Sequence, residues 1–277
     1  MGNVYRAMSL ACVAFLSGTA ARADTTHRDV PVSELVIDAD GGRLLFAAAA
    51  TRVRPPASLA KMMTLLLAFE AMDAGHLHAG DFLTMTAHGA RQPPSRLGLA
   101  AGARISVRAA IKVIAVISAN DVAVALAERL AGNEAAFVAA MNRRAAQLGM
   151  TATRFGNATG LAPGGGTSTA RDMALLARRL AARSDRYRVF SLHAIRWQGR
   201  TRPNHNRLLG KVPGVDGIKT GYTVPAGFNL AASARREGRR VIVVVLGAPT
   251  AAARDLLVAN LLEAGFTSPA RPRSRHP

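Results

Sequence analysis

The sequence predicts a mixed α/β fold in which one antiparallel sheet is assembled from both ends of the chain and is covered by helices. Three observations lead to this prediction. Residues 34–46 have the pattern of a β-hairpin, residues 58–182 mostly space their apolar residues as helices do, and residues 217–246 return to short β-like runs. With 277 residues, 49% of them hydrophobic, the chain is long and apolar enough to form a large core.

Residues 1–23 are typical of a secretory signal peptide. Arg6 supplies the positive start, residues 7–16 form a short apolar run, and a small-x-small cleavage site precedes Asp24. The apolar run is too short to cross a bilayer, and a retained N-terminal anchor is the alternative. The only cysteine, Cys12, lies inside this segment, so we expect a periplasmic mature protein without thiol or disulfide.

The elements that follow are predicted in chain order. A glycine turn at residues 39–42 separates the two strands of the hairpin. A diproline then leads into Ser58, and because no Gly or Pro occurs from there until Gly75, a long helix is predicted. Residues 84–102 contain two prolines and several glycines and are predicted to be a loop. Further helices are predicted at residues 106–117, 122–131, 134–148 and 169–182.

Beyond residue 196 the pattern changes to strands. Three are predicted, at residues 217–221, 228–234 and 240–246. The last two are joined by a polar hairpin loop at residues 235–239, and a final helix is predicted over residues 251–264. We therefore predict a single domain over residues 24–266, followed by a basic disordered tail at residues 267–277.

Arginine dominates the basic residues of this chain. Arginine accounts for 32 of the 36 lysines and arginines, and the formal net charge is +19. This excess predicts an acidic partner or surface. Nucleic acid is disfavoured because aromatic residues make up only 5% of the chain and no nucleic-acid-binding motif is present. Anionic cell-envelope polymers fit an exported protein better, and a solvated arginine-rich surface without a partner is the alternative.

Ser58 and Lys61 form the first pair with catalytic potential. A separation of three residues places both side chains on one side of the predicted helix, at its N-terminus. A buried lysine can lose its proton and act as a base, whereas arginine cannot. A chain that uses arginine for surface charge therefore has a reason to keep this lysine. A capping serine beside a solvated lysine is the alternative.

Three polar clusters interrupt the apolar pattern. They are Ser58-x-x-Lys61 at a predicted helix start, Ser118-x-Asn120 in a turn between helices, and Lys219-Thr220-Gly221 on a predicted strand. In this order they resemble the penicillin-recognising serine acyltransferases. The chain is more narrowly similar to the D-alanyl-D-alanine carboxypeptidases, the low-molecular-mass penicillin-binding proteins of serine peptidase family S11, over about residues 30–266. Further segments that carry this similarity are residues 148–150, 168–173, 206–209 and 214–223.

The resemblance implies a β-lactamase/DD-peptidase-like fold. Its antiparallel sheet would have five strands flanked by helices, with a helical lobe inserted between the two halves of the sheet. The implied activity is removal of the terminal D-alanine from peptidoglycan stem peptides through an acyl-enzyme on Ser58, with β-lactam antibiotics as covalent inhibitors. No cofactor and no metal are implied.

The resemblance also implies a role for each catalytic residue. Ser58 would attack the carbonyl between the two D-alanines, with Lys61 as its base. Ser118 would bridge toward Lys61 and Lys219 and pass a proton to the departing D-alanine. Asn120 would orient Lys61 and the substrate amide.

The strand motif would bind the substrate. Lys219 and the Thr220 hydroxyl would hold the terminal carboxylate while the substrate pairs with this strand. Gly221 would leave room for that approach. The backbone N–H groups of Ser58 and Tyr222 would form the oxyanion hole.

The sequence departs from the family in its carboxylate-binding arginine and its C-terminal region. Some relatives place an arginine near position 249, where this chain has Pro249, and Arg254 is the candidate substitute. A second all-β domain and an amphipathic anchor helix, common among relatives, are not predicted after residue 266. We therefore expect at most peripheral membrane or wall association.

Other functions stay open. A D,D-endopeptidase acting on peptide cross-links is the nearest alternative. A class A-like β-lactamase is less favoured because residues 153–160 contain no acid to activate the deacylating water. A non-catalytic wall-binding module is a further alternative, but it would not need the three polar clusters that this chain contains. His76 and His78 with Asp81 follow a glycine in a polar stretch, so a loop is favoured there over a metal site.

Overall fold

The structure, a computed structural model, describes residues 32–161 and 163–269. Those from Val32 onwards belong to one compact unit. The predicted signal peptide and the arginines of the predicted tail lie outside the described residues.

The secondary structure alternates between the two ends of the chain and a helical middle. The strands are β1 (Ser33–Asp38), β2 (Arg43–Ala48), β3 (Phe82–Thr84), β4 (Arg104–Ser106), β5 (Arg154–Phe155), β6 (Gly166–Thr167), β7 (Ala194–Trp197), β8 (Arg200–Pro203), β9 (Val215–Thr223), β10 (Gly227–Arg236) and β11 (Arg239–Ala248). The α-helices are α1 (Lys61–Asp73), α2 (Ala87–Ala90), α3 (Val107–Ile117), α4 (Asn120–Ala131), α5 (Glu134–Gln147), α6 (Ala170–Ala181), α7 (Ser184–Tyr187) and α8 (Ala251–Thr267). Two 3₁₀ helices cover Ala57–Ala60 and Arg188–Ser191.

The main sheet has five antiparallel strands in the order β2-β1-β11-β10-β9. Pairing of β1 with β11 joins the N-terminal hairpin to the C-terminal meander, with Leu35 opposite Val244. The predicted five-stranded antiparallel sheet is confirmed.

The central strand β11 is apolar on both faces because both faces are covered. Val241, Val243 and Val245 lie in the cluster that includes α8, whereas Ile242 and Val244 lie in the larger core shared with the other helices. This alternation follows from the two-residue period of a strand. The sheet therefore has helices on both faces, and its edge strand β9 lies beside the first 3₁₀ helix.

Helix α1 is the central helix of the lobe inserted between the two halves of the sheet. Met62, Met63, Leu65 and Leu66 are all fully buried, so the helix is surrounded by protein on most of its circumference. The predicted helical middle is confirmed, and α1 ends at Asp73, just before Gly75.

Several element boundaries differ from the predictions. Residues 57–60 form a 3₁₀ turn, so Ser58 lies inside that turn and the α-helix begins at Lys61. The predicted loop at residues 84–102 contains the short helix α2, whose first turn is capped by the Thr86 hydroxyl. The predicted hairpin loop 235–239 shrinks because β10 and β11 keep pairing as far as Arg236 and Arg239. Glu237 and Gly238 between them both have positive φ, as the type I′ turn of a two-residue hairpin requires.

Candidate active site

Ser58 is presented by the 3₁₀ turn. Its neighbours Ala57 and Leu59 are completely buried, whereas Ser58 itself is partly exposed. The buried neighbours anchor the turn, and the Ser58 side chain faces a cleft beside the edge strand β9.

Lys61 is completely buried and has no carboxylate partner among the described residues. Its Nζ lies 2.9 Å from the Ser58 Oγ and donates to the Thr159 carbonyl oxygen at 2.8 Å. Burial, followed by the nearby charge of Lys219, holds the pKa of Lys61 well below its usual value. A neutral amine in hydrogen-bonding distance of a hydroxyl can accept its proton.

The Thr159 carbonyl is held in place by an Asn-centred turn. The Asn157 Oδ1 accepts from the Thr159 backbone N–H at 3.1 Å, the Thr159 hydroxyl at 3.0 Å and the Gly160 N–H at 2.6 Å. The sequence analysis used residues 153–160 only to note that they contain no acid. The Asn-Ala-Thr-Gly run is a turn signal that could have been noticed, but its contact with Lys61 could not.

Ser118 and Asn120 lie in the same cleft but not in the expected contacts. The Ser118 Oγ and the Asn120 Oδ1 are both buried without a hydrogen-bond partner in the described part of the chain. The Asn120 Nδ2 donates to the Pro93 carbonyl oxygen at 2.8 Å. The expected bridge from Ser118 to Lys61 and Lys219 is therefore not formed. Two unpaired buried polar atoms in a cleft are available to a ligand, since leaving them unpaired costs free energy.

Strand β9 brings the third motif to the cleft. Lys219 is buried, and its Nζ donates to the Thr220 backbone oxygen at 2.9 Å. Tyr222 is half-exposed and stacks on Phe228, with ring centroids 4.3 Å apart. Thr220, Gly221 and Tyr222 all line the cleft.

Gly221 has no side chain, and this leaves space for the turn that carries Ser58. A Cβ at this position would lie 3.1 Å from the Ser58 backbone nitrogen and 3.1 Å from the Pro56 carbonyl oxygen. The expectation that Gly221 also leaves room for the substrate stays a prediction. The glycine lets the turn that carries Ser58 pack directly against β9.

Arg254, in the first turn of α8, lines the cleft, whereas Pro249 is an exposed residue outside its lining. The Arg254 guanidinium is buried and paired with Asp255 at 2.6 Å. Burial and the charge of Arg254 together lower the pKa of Lys219 to about 7.

The cleft has a volume of about 460 Å³ and also contains a residue that the sequence did not indicate. His205 lies in its wall, and burial together with the charges of Lys219 and Lys61 lowers its pKa to about 4. It is therefore a neutral imidazole at neutral pH. Only its position next to the family-like segment 206–209 could have drawn attention to it. The cleft is lined by Ser58, Pro94, Ser95, Ser118, Asn120, Leu161, Pro203, Asn204, His205, Arg207, Thr220, Gly221, Tyr222, Phe228, Ala251 and Arg254.

The buried Lys219 makes a testable contribution to the pH dependence of stability. Between pH 7 and 10.5 the unfolded chain keeps a proton on Lys219 that the folded protein has released. Because the unfolded state binds more protons there, the free energy of unfolding is expected to rise with pH across this range. Lys61 contributes in the same direction.

The measurement is chemical denaturation at several pH values for wild type, Lys219→Gln and Lys112→Gln. Lys112 is exposed and serves as the matched control. Lys219→Gln should flatten the rise with pH and Lys112→Gln should not. If the free energy of unfolding of wild type and of Lys219→Gln depends on pH in the same way, the pKa of Lys219 is not lowered by burial in the folded protein.

The histidines considered for a metal site are not arranged as a cluster. His78 and Asp81 contact each other, with 3.6 Å between Nδ1 and Oδ2. Within residues 32–161 and 163–269 no group of three or more His, Cys, Asp or Glu side chains is placed to hold a metal ion.

Among the helices of the described residues, none has the length and hydrophobicity needed to cross a membrane.

Penicillin-binding proteins are among the solved structures with this architecture. Penicillin-binding protein 6B from Escherichia coli superposes with a TM-score of 0.80 at 37% identity, over 85% of this chain and 77% of that one. Penicillin-Binding Protein D2 from Listeria monocytogenes, in its cefotaxime-bound form, gives 0.77 at 34% identity, over 84% of this chain and 96% of that one. The fold is thus that of the DD-peptidases and β-lactamases, as predicted.

The chain belongs to peptidase family S11, the D-alanyl-D-alanine carboxypeptidases, whose family model matches residues 21–250. The D-alanyl-D-alanine carboxypeptidase DacF of Bacillus subtilis is 36% identical over 244 residues, which are 85% of this chain. The chain spans 62% of the length of DacF and also 62% of that of DacD from Escherichia coli.

Proposed function

We propose that this protein is a serine-type D-alanyl-D-alanine carboxypeptidase that trims peptidoglycan stem peptides. The observation that carries the proposal is the fully buried Lys61 amine, 2.9 Å from the Ser58 hydroxyl and without a carboxylate partner in the described chain. Burial lowers the pKa of such an amine and so favours the neutral form, which can accept a proton from the hydroxyl beside it.

In the proposed reaction, the Ser58 Oγ attacks the carbonyl carbon between the two D-alanines and gives its proton to the Lys61 Nζ. The oxyanion that forms is stabilised by the backbone N–H groups of Ser58 and Tyr222. The C–N bond then breaks, and the proton held by Lys61 passes through the Ser118 hydroxyl to the D-alanine nitrogen, which leaves Lys61 neutral again. Water, activated by the neutral Lys61, hydrolyses the ester and frees Ser58. Asn120, with its unpaired Oδ1, orients the substrate amide.

The terminal carboxylate of the substrate is assigned to the cationic end of the cleft. Arg254 from α8 and Thr220 from β9 line this part of the cleft. The buried Lys219 is next to Thr220 on β9, near enough to Arg254 for the charge of Arg254 to lower its pKa. An anion there would favour the charged form of Lys219, which burial and Arg254 otherwise disfavour. Arg254 thus substitutes for the arginine that some relatives place where this chain has Pro249.

β-Lactam antibiotics are the expected covalent inhibitors. Penicillin-Binding Protein D2 from Listeria monocytogenes has been solved in cefotaxime-bound and ampicillin-bound forms. Residues 153–160 of this chain contain no acid. The acyl-enzyme formed with penicillin is therefore expected to hydrolyse slowly, as in a penicillin acceptor rather than in a β-lactamase.

We also infer an exported protein with a catalytic domain over residues 24–266. The signal-like pattern of residues 1–23 supports cleavage before Asp24 and a periplasmic location, with at most peripheral attachment to membrane or wall. N-terminal sequencing of the exported protein tests the cleavage site. A mature chain that still begins before residue 24 would contradict it.

The activity is tested with a fluorescent penicillin and with diacetyl-lysyl-D-Ala-D-Ala. Wild type should carry one stable adduct on Ser58 and release D-alanine from the peptide, whereas Ser58→Ala should do neither. Mass spectrometry locates the adduct. An adduct elsewhere, or rapid turnover of penicillin, would overturn the assignment.

The same assay examines the carboxylate site. Wild type should prefer the free acid of the peptide to its C-terminal amide, and Arg254→Gln should lose much of that preference. Cleavage of cross-linked muropeptides into separate stem peptides, without release of D-alanine from diacetyl-lysyl-D-Ala-D-Ala, would replace the carboxypeptidase proposal by an endopeptidase.

A further inference from the structure

A second cleft, of about 790 Å³, lies at the end of the sheet away from Ser58. The β1–β2 turn and the β10–β11 hairpin meet the C-terminal half of α6 there. On β9, Asp216 lines this cleft, whereas the catalytic cleft begins at Thr220, about 13 Å further along a strand. The two clefts share no lining residue. We call the second one the arginine cleft because its wall contains Arg178, Arg179, Arg188, Arg235 and Arg240.

The charges in the arginine cleft are not balanced. Its lining contains five arginines and two aspartates, Asp40 and Asp216. Carboxylates outside the lining contact two of the arginines, Glu70 at 3.4 Å from Arg179 and Asp185 at 4.0 Å from Arg188. Asp216 is already paired with Arg240 at 2.8 Å. Within the described chain, the side chains of Arg178 and Arg235 contact no carboxylate. The positive charges of these two guanidinium groups are therefore available to an external anion.

Two of the guanidinium groups are held in place before any ligand arrives. The Arg178 Nε donates to the Ala39 carbonyl oxygen at 2.9 Å, and its guanidinium lies against Gly42, where a Cβ would be 2.9 Å from Nη1. Arg240 is fixed by Asp216 and stacks on the ring of Tyr187, 4.8 Å from its centroid. Rigid donors of this kind lose little entropy when an anion binds.

We propose that the arginine cleft binds a ligand with two or more linked phosphate groups. A guanidinium presents paired donors that match phosphate oxygens. One phosphate group has enough oxygens for several arginines to converge on it, whereas a carboxylate has only two. The cleft is also far larger than one phosphate, and its arginines come from three separate segments of the chain, so they surround the ligand from different sides.

The proposal is tested by titrating the purified protein with sodium tripolyphosphate in isothermal calorimetry at two salt concentrations. The double variant Arg178→Gln with Arg235→Gln should bind about 10- to 100-fold more weakly, since hydrogen bonds to charged groups are the stronger ones. Higher salt should weaken binding to wild type more than to the variant. The matched control is Arg129→Gln with Arg143→Gln, which removes the same charge from exposed residues outside the cleft and should bind as wild type does. Thermal denaturation confirms that each variant is folded.

Two further probes identify the source of the phosphate. Vesicles containing cardiolipin, whose headgroup links two phosphate groups, test a lipid source, and binding that depends on Arg178 and Arg235 would support the proposal with that source. Polygalacturonate tests a carboxylate polymer of similar charge density. Equal binding of polygalacturonate and tripolyphosphate would overturn the preference for phosphate. Unchanged tripolyphosphate binding in the cleft variant, or an equal loss in the control variant, would overturn the site itself.

Discussion

Replacing Lys61 by arginine is expected to reduce the rate of Ser58 acylation by about 10²- to 10⁴-fold, the usual cost of losing a general base. Lys61 is completely buried, and burial together with Lys219 lowers its pKa well below the ordinary lysine value. A guanidinium keeps its proton in the same surroundings and so cannot accept one from Ser58. The measurement is the second-order rate of labelling by a fluorescent penicillin.

Lys219→Arg is the matched comparison, since it makes the same substitution on the other buried lysine of the site. The proposed role of Lys219 toward the substrate carboxylate requires a cation rather than a base, and arginine is also a cation. Lys219→Arg changes only the shape of that cation, so it should lower the labelling rate less than Lys61→Arg, which removes the base. Labelling rates should rank wild type, then Lys219→Arg, then Lys61→Arg.

The neutral variant Lys61→Gln tests whether Lys61→Arg acts only through the larger size of arginine at this buried position. It should label as slowly as Lys61→Arg, and circular dichroism checks folding in each case. If Lys61→Arg labels at a rate near that of wild type, Lys61 is not the base and the Ser58 proton leaves by another route.

The parts of the site that the sequence predicted are the parts whose signals are local. Ser58 and Lys61 are three positions apart on one turn, and the Lys219 motif lies on a strand with a clear apolar pattern. The sheet was predictable for the same reason, because β1 and β11 are each apolar enough to require burial. Short-range spacing and hydrophobic pattern carry this information directly.

The remaining contacts depend on backbone atoms that lie far away in the chain. The Thr159 carbonyl that accepts from Lys61 is 98 positions away, and every residue type offers a carbonyl. The Ser118 bridge was wrong as a description of this structure because both lysines find backbone oxygens instead, Lys61 at Thr159 and Lys219 at Thr220. The sequence around His205 has no pattern that indicates its position in the cleft.

Gly160 is the residue whose replacement tests these long-range contacts most sharply. It has a φ of +76°, and a Cβ there would lie 1.8 Å from the Ala57 carbonyl oxygen, which belongs to the turn that carries Ser58. An alanine at this position must push that turn away from the loop that presents the Thr159 carbonyl to Lys61. Displacements of about 1 Å in a catalytic site can cost about 10²-fold in rate. Gly160→Ala is therefore expected to slow penicillin labelling of Ser58 by at least about 10²-fold and to lower the thermal midpoint.

Gly75→Ala separates the displacement from backbone strain. Gly75 has nearly the same φ, +73°, but a Cβ there would meet no atom of the described residues within 4 Å. Both alanines incur the cost of the left-handed conformation, about 1–2 kcal/mol, and only Gly160→Ala adds a collision with the turn of Ser58. Labelling of Gly75→Ala should therefore stay close to wild type while its stability falls. If Gly160→Ala is destabilised to the same extent as Gly75→Ala and still labels normally, the contact with Ala57 does not position Ser58. The geometry between Ser58 and Lys61 would then be maintained by other contacts of the turn, such as those with β9 and with Asn229 on β10.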